Sequence, residues 1–338
     1  MINVGVIGYG YWGPNVARNF NACQSVKLTS ISDVSEKRLK LAETHYPFIK
    51  GSVDPMELIR SKDVDVVAVV TPVFTHYDLA LKALEHGKHV FVEKPFTATR
   101  AQAEKLIETA AKKNLKIMVD HTFLFTGAVK KMKELIDSEQ LGKLYFYDSV
   151  RVNLGLFQHD VNVIWDLAPH DFSIMSYVLK DKPTSVSAMG ASHFSNGFAD
   201  VAYVCLHFEE SKFLAHFHLN WLSPVKIRRT LVSGDKKMLV WDDLSSDEKV
   251  KIYDRGVDVN GKNAESGVHK LLVSYRSGDM HVPRLENAEA LKSEVEYFVH
   301  CLEKKEEPFN NGEAGLQVVQ LLEAADRSIQ SGGQRIGL

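Results

Sequence analysis

The chain has 338 residues, 45% hydrophobic and 25% charged, with 41 Lys and Arg against 43 Asp and Glu, a formal net charge of −2. That balance leaves no basic footprint for nucleic acid or an anionic membrane surface. Three scattered cysteines, Cys23, Cys205 and Cys301, fit a reducing compartment and give no zinc spacing. No run reaches the ~18 apolar residues of a membrane helix. The start, Met1-Ile2-Asn3-Val4, enters a strand directly, and the chain reads as cytoplasmic.

The first ~120 residues alternate strand and helix, the pattern of a parallel sheet with crossover helices. Ile2–Ile7 is short, apolar and β-branched, as a buried parallel strand requires. A helix over 14–23 follows, with Pro14 in its first turn. Strand 26–32, helix 35–45 and strand 64–70 come next. Thr75 and Asp78 have capping-box spacing for a helix running to His86. Strand 88–92, a second capping box at Thr99 and Gln102, a helix to Lys113 and strand 115–119 complete the series.

Beyond Asp120 the pattern changes. Helix 128–138 leads into a long strand, 143–153, and a helix near 166–179. Strands are then predicted at 185–192, 201–208, 213–221, 226–233 and 236–241, joined by short turns, which indicates a mostly antiparallel sheet. The polar stretch 255–280 reads as a long loop, and helices over 286–303 and 313–330 close the chain. The expected architecture is α/β: a Rossmann dinucleotide-binding domain at 1–120, then an α+β domain at 121–338 with a large, mostly antiparallel open sheet.

Gly8-Tyr9-Gly10-Tyr11-Trp12-Gly13 fits G-x-G-x-x-G between a strand and a helix. The first glycine permits the tight turn, the second lets the backbone approach a pyrophosphate, and the third lets helix pack on strand. The helix amino terminus then faces phosphate. Asp33 ends the second strand, twenty residues past Gly13, where a carboxylate binds ribose hydroxyls and repels a 2′-phosphate. NAD is therefore expected over NADP, with Lys37 and Arg38 nearby on the next helix.

Lys94, in Glu93-Lys94-Pro95, follows the strand at 88–92 of the same sheet. Ligands of open α/β sheets bind outside the carboxyl ends of strands. An ammonium there can donate to an alcohol or ketone oxygen as charge develops, although most lysines are merely solvated. Asp166 and His170 lie four apart and share one helix face. Pro169 is acceptable only in a first turn, which places the helix start near Asp166. His170 can take a hydroxyl proton near neutral pH; the plainer reading makes Asp166 an N-cap and His170 a satisfied core histidine. His86 with His89, and His216 with His218, lack the further ligands a metal needs, so no metal is expected.

Taken together, Gly8–Gly13, Asp33, Thr71-Pro72 with His76, Gly87-Lys88-His89-Val90 leading into Glu93-Lys94-Pro95, and Asp166 with His170 resemble the Gfo/Idh/MocA oxidoreductases. The resemblance implies a Rossmann domain followed by a domain whose open sheet often forms an oligomer interface, here a homodimer or homotetramer. It implies Lys94, Asp166 and His170 as the catalytic set. It implies cofactor contacts from Gly8, Gly10, Tyr11, Trp12, Gly13, Asp33, Thr71, Pro72, His76, Glu93 and Lys94. Lys94, Asp166 and His170, with His121, Arg151 and Asn153, are candidates to hold substrate, and Arg228 and Arg229 are further candidates to hold a carboxylate or phosphate. Val150–Gly155 with Asp166–His170 looks like a subgroup acting on nucleotide sugars, including UDP-N-acetylglucosaminuronate 3-dehydrogenases and 3-ketosugar reductases. The competing readings are a free polyol or inositol dehydrogenase and a non-catalytic NAD-binding regulator.

Overall fold

The computed structural model describes residues 1–155, 161–194, 197–209, 212–260 and 272–338. The chain divides into two compact units, 1–126 with 288–323, and 127–287 with 324–338.

The first unit runs β1 (Ile2–Ile7), α1 (Gly13–Ala22), β2 (Val26–Ser32), α2 (Glu36–His45), β3 (Lys50–Ser52), α3 (Pro55–Arg60), β4 (Val66–Val69), α4 (Val73–Glu85), β5 (His89–Glu93), α5 (Arg100–Lys113) and β6 (Ile117–Asp120), then a 3₁₀ turn, Thr122–Phe125. Six parallel strands lie in the order β3-β2-β1-β4-β5-β6. All four residues of β4 are fully buried, as expected of a strand covered on both faces. The chain leaves β1 toward β2 on one side and returns to β4 on the other. The residues after β1 and β4 therefore flank the point where strand order reverses, the crevice in which such sheets bind ligands.

The second unit begins with α6 (Gly127–Asp137), β7 (Leu144–Leu154) and α7 (Val163–Val178). Next come β8 (Ser185–Ala191), β9 (Val201–His207), β10 (Leu214–Asn220), β11 (Leu222–Gly234), β12 (Met238–Asp242), β13 (Val250–Tyr253), β14 (Gly256–Asn260), β15 (Leu272–Arg276) and β16 (Met280–His281). After α8 (Ala290–Lys304) and α9 (Gly312–Gln330), β17 (Ile336–Gly337) ends the chain. Among the described residues, nine strands form one sheet, β16-β13-β12-β11-β7-β10-β9-β8-β17. In it β7 and β10 run parallel, while the other neighbours pair antiparallel. The sheet is mostly antiparallel, as the short connections imply.

Several local expectations change. The first unit does not end at 120: α8 returns to it, burying Leu291, Val295 and Phe298, with Phe298 against Phe91 of β5. Asn310 then covers the edge of β6, its carbonyl accepting from Val119 N at 2.9 Å and its Nδ2 donating to Val119 O at 2.9 Å. An apolar helix face does not declare which of two sheets it will cover. The segment 255–280 is not all loop, because β14 pairs antiparallel with β15; residues 261–271 lie outside those described.

Helix α4 starts at Val73 with Pro72 as its N-cap, and Thr75, already inside the helix, donates Oγ1 to Pro72 O at 2.8 Å. The Thr75–Asp78 spacing is thus no capping box. Thr99 does cap α5, accepting from Gln102 N at 3.3 Å. Helix α7 starts at Val163, a turn earlier than Pro169 suggested. Its N-cap Asn162 accepts from Ile164 N and Trp165 N at 3.0 and 3.1 Å, while Asp326 accepts from Asn162 Nδ2 at 2.7 Å and Trp165 Nε1 at 2.6 Å. This doubly anchored start outweighs the amide donor that Pro169 lacks.

Candidate active site

The glycines of the loop divide by what demands them. Gly8 has φ +98° and a Cβ there would lie 2.2 Å from Val70 O; one on Gly13 would lie 2.2 Å from Gly8 O. The chain's own packing requires both. A Cβ on Gly10 would meet only the tip of Arg38, at 3.4 Å. Nothing among the described residues requires glycine at 10, and the space it leaves suits a pyrophosphate against bare backbone. Helix α1 has no side-chain cap and no acid in its first turn; Pro14 carries no N–H and Asn15 N donates to Trp12 O at 2.9 Å, so the Gly13 N–H is the first-turn donor left for an anion. Tyr11 is exposed on the loop.

Asp33 is 5% exposed. Its Oδ2 accepts from Tyr9 N at 2.7 Å and its Oδ1 from Ser35 N at 2.8 Å. Each oxygen keeps a lone-pair direction, so the carboxylate braces the glycine loop and can still accept from a ribose hydroxyl. After β4, Thr71 Oγ1 bonds Thr75 Oγ1 at 2.6 Å. His76, expected among the cofactor contacts, is fully buried, with Nε2 2.7 Å from Thr71 O and Nδ1 2.9 Å from Pro95 O. Burial lowers its pKa. Its ring nitrogens thus face the backbone of the turns after β4 and β5.

At the carboxyl end of β5, Glu93 lies in register with Asp120 of β6, and the Lys94–Pro95 peptide is cis. Asp120 is 2% exposed. It accepts from Trp12 Nε1 at 2.9 Å and from Thr122 Oγ1. Glu93 and, from α8, Glu294 both feel its charge. Burial, then the Asp120 charge, holds both well above the usual carboxylate range. Asn310 Nδ2 donates to Glu294 Oε1 at 3.1 Å. His121 is buried with both ring nitrogens unpartnered among the described residues, and burial pushes it down to about 4; it is a neutral imidazole at physiological pH.

Sequence reasoning did not foresee this carboxylate group. Asp120 had a signal, since it ends a strand next to the one ending in Glu93. Glu294 had a fainter one, a carboxylate on the apolar face made by Leu291, Val295 and Phe298 of α8.

In the second unit, Asp166 and His170 lie one turn apart on α7, as the spacing implied, although Asp166 is not the cap. Asp166 Oδ2 accepts from Nε1 of Trp221 at 3.0 Å. Trp221 is 1% exposed and wedged against Gly155, where a Cβ would lie 2.4 Å from its ring. The indole therefore fixes the carboxylate's orientation, a role that no local spacing announces.

Arg151 is not free to hold a substrate anion. It is 3% exposed, with Nε donating to Asp171 Oδ2 at 2.6 Å and Nη2 to Oδ1 at 3.1 Å. Arg228 pairs with Asp243 at 2.8 Å and Arg229 with Asp242 at 2.7 Å. Asn153 is half-buried, with Nδ2 donating to Leu154 O at 3.3 Å. Among the described residues no helix is long and apolar enough to cross a membrane.

Residues 2–121 match the model of an oxidoreductase family with an NAD-binding Rossmann fold, and residues 129–240 match the GFO/IDH/MocA C-terminal domain. Myo-inositol 2-dehydrogenase of Thermotoga maritima is 25% identical, over 97% of this chain and 96% of that protein. Among solved structures, UDP-N-acetylglucosamine 3-dehydrogenase GnnA from Acidithiobacillus ferrooxidans superposes with a TM-score of 0.81 at 22% identity, over 98% of this chain and 99% of that one. GenD2 from gentamicin A biosynthesis, in complex with NAD, gives 0.82 at 19% identity, over 100% and 96%. At those identities the two structures speak for the fold alone.

Proposed function

The chain belongs to the GFO/IDH/MocA oxidoreductase family, an NAD-binding dehydrogenase acting on sugar or polyol CH–OH groups, and on that premise we propose the roles of its residues and the class of its substrate. One observation carries the reading. A lysine stands at the carboxyl end of a strand in the glycine-loop sheet, and the chain also presents a carboxylate and an imidazole one turn apart on α7.

The nicotinamide cofactor, when bound, supplies the hydride acceptor or donor. Gly10 leaves room for its pyrophosphate, Asp33 takes the adenosine ribose, and the Lys94 strand end faces its nicotinamide half. Lys94 donates to the reacting sugar oxygen and stabilises negative charge as it develops. His170 takes the hydroxyl proton in oxidation and returns it in reduction. Asp166, held by Trp221, orients the substrate through a neighbouring hydroxyl.

Two substrate classes remain in view. The motif Val150–Gly155 with Asp166–His170 supports a nucleotide-linked sugar, as in polysaccharide precursor synthesis. The ion pairs of Arg151, Arg228 and Arg229 favour a free sugar or cyclic polyol, because each candidate for a diphosphate already faces a carboxylate. Nicotinamide absorbance followed over a panel of cyclic polyols, free sugars, and UDP- and dTDP-sugars decides between them. Turnover that requires the nucleotide moiety selects the first class. No turnover with any member, by a protein that binds NAD, would sink the catalytic reading in favour of a regulator.

A further inference from the structure

The proposed chemistry uses Lys94, Asp166 and His170 and leaves the buried carboxyl group of the first unit unemployed. Three acids meet there: Glu93 on β5, Asp120 on β6 and Glu294 on α8. Asp120 is the hub, receiving the Trp12 indole and the Thr122 hydroxyl, with Glu93 beside it in register on β5. Both donors are formally neutral. They satisfy a carboxylate at Asp120 without cancelling its charge.

A polar cluster retained for stability alone is expected to close its hydrogen bonds. This one does not. Glu93 Oε2, Glu294 Oε2, Asn310 Oδ1 and both nitrogens of His121 are buried without partners among the described residues. The cluster sits at the strand end that carries Lys94, and Trp12 links it to the glycine loop.

We propose that Asp120 is the buried counter-charge of the bound cofactor and sets the protein's relative affinity for oxidised and reduced nicotinamide dinucleotide. The inference rests on the assignment of the Lys94 strand end to the nicotinamide half. The oxidised ring carries a positive charge that the reduced ring lacks, so a fixed anion nearby stabilises one form and not the other. Lys94 opposes this from a less buried position than Asp120. Asp120, at 2% exposure, acts through a medium of low effective dielectric.

The test is calorimetric titration of the cofactor-stripped, full-length protein with NAD+ and with NADH. The wild type is expected to bind NAD+ more tightly than NADH. Asp120→Asn should weaken NAD+ about tenfold relative to NADH, which for this two-electron couple is about 30 mV in the bound potential. Glu294→Gln leaves Asp120 and its two donors in place and should leave the ratio within about twofold of wild type. An Asp120→Asn protein that loses both forms equally, or a Glu294→Gln protein that shifts the ratio as far, would overturn the inference. A wild type that prefers NADH would overturn it even if the Asp120 variant does not fold. Binding of neither form by the wild type would remove the cofactor reading itself, and the inference with it.

Discussion

The indole of Trp12 donates to the carboxylate of Asp120 across 2.9 Å, joining the glycine loop after β1 to the end of β6, 108 residues later. In the sheet, β4 and β5 lie between those two strands. The bond therefore spans the carboxyl ends of the strands that the cofactor must approach. Loop, hub and Lys94 strand end form one braced group, and its parts respond differently to substitution.

Within the loop, Gly8→Ala forces a Cβ toward Val70 O at a left-handed backbone position and should destabilise the protein by at least about 2 kcal/mol. Gly10→Ala meets only a flexible arginine tip and should change stability by less than about 0.5 kcal/mol. It should nonetheless weaken NAD binding about tenfold or more, because the methyl occupies the space left for the pyrophosphate. Denaturant unfolding paired with NAD titration separates the two. An NAD affinity unchanged in Gly10→Ala would contradict the pyrophosphate placement.

Lys94→Met and His170→Ala should each lower kcat by about 10²–10⁴-fold, the usual worth of an acid–base or oxyanion-stabilising group. NAD affinity should change by no more than a few-fold. Near-normal turnover in both would refute the assigned roles.

Trp221→Phe keeps most of the ring volume and deletes the donor to Asp166. The expected loss is about tenfold in kcat/KM, the order of one hydrogen bond to a charged group. Stability should stay within about 1.5 kcal/mol of wild type. On the proposed role of Asp166 as a substrate-orienting carboxylate, the pH profile of kcat should keep its midpoints. A shifted midpoint would mean that Trp221 tunes a titrating group directly.

Breaking the Arg151–Asp171 pair from one side, as Arg151→Met or Asp171→Leu, should destabilise the protein by about 3–5 kcal/mol, since an uncompensated charge stays buried. The double variant should recover most of that loss. A double-mutant cycle by urea unfolding measures it, and additive losses would show that the partners act independently.

His121 makes acid stability a test of burial. Its folded pKa of about 4 lies below the unfolded value of 6.5, so the unfolded chain binds the extra proton between those limits. The stability it supports is fully present above pH ~6.5 and is lost as pH falls toward ~4, about 3 kcal/mol in all. His76, buried and shifted the same way, adds to the slope. Glu93 and Glu294, shifted upward, act oppositely: their contribution is present at low pH and fades as pH rises through their folded values. His121→Phe should flatten the wild-type loss between pH 6.5 and 4. An unchanged slope would place that imidazole in contact with water.

Local chemistry was enough to read the alternation of buried strands and helices, the glycine loop, Asp33, Lys94 and the Asp166–His170 pair. Each depends on periodicity, on backbone freedom at one residue, or on spacing within a single turn, and those act between near neighbours in the chain. Tertiary structure alone decided the rest. It returned α8 to the first unit, brought Glu294 to Asp120, set Trp221 against Asp166 and turned Arg151 from a prospective anion holder into the partner of Asp171. An apolar face, an indole or a guanidinium carries no mark of its partner. Which group it meets follows from the packing of segments that lie tens to hundreds of residues apart, where burial and charge balance settle the match.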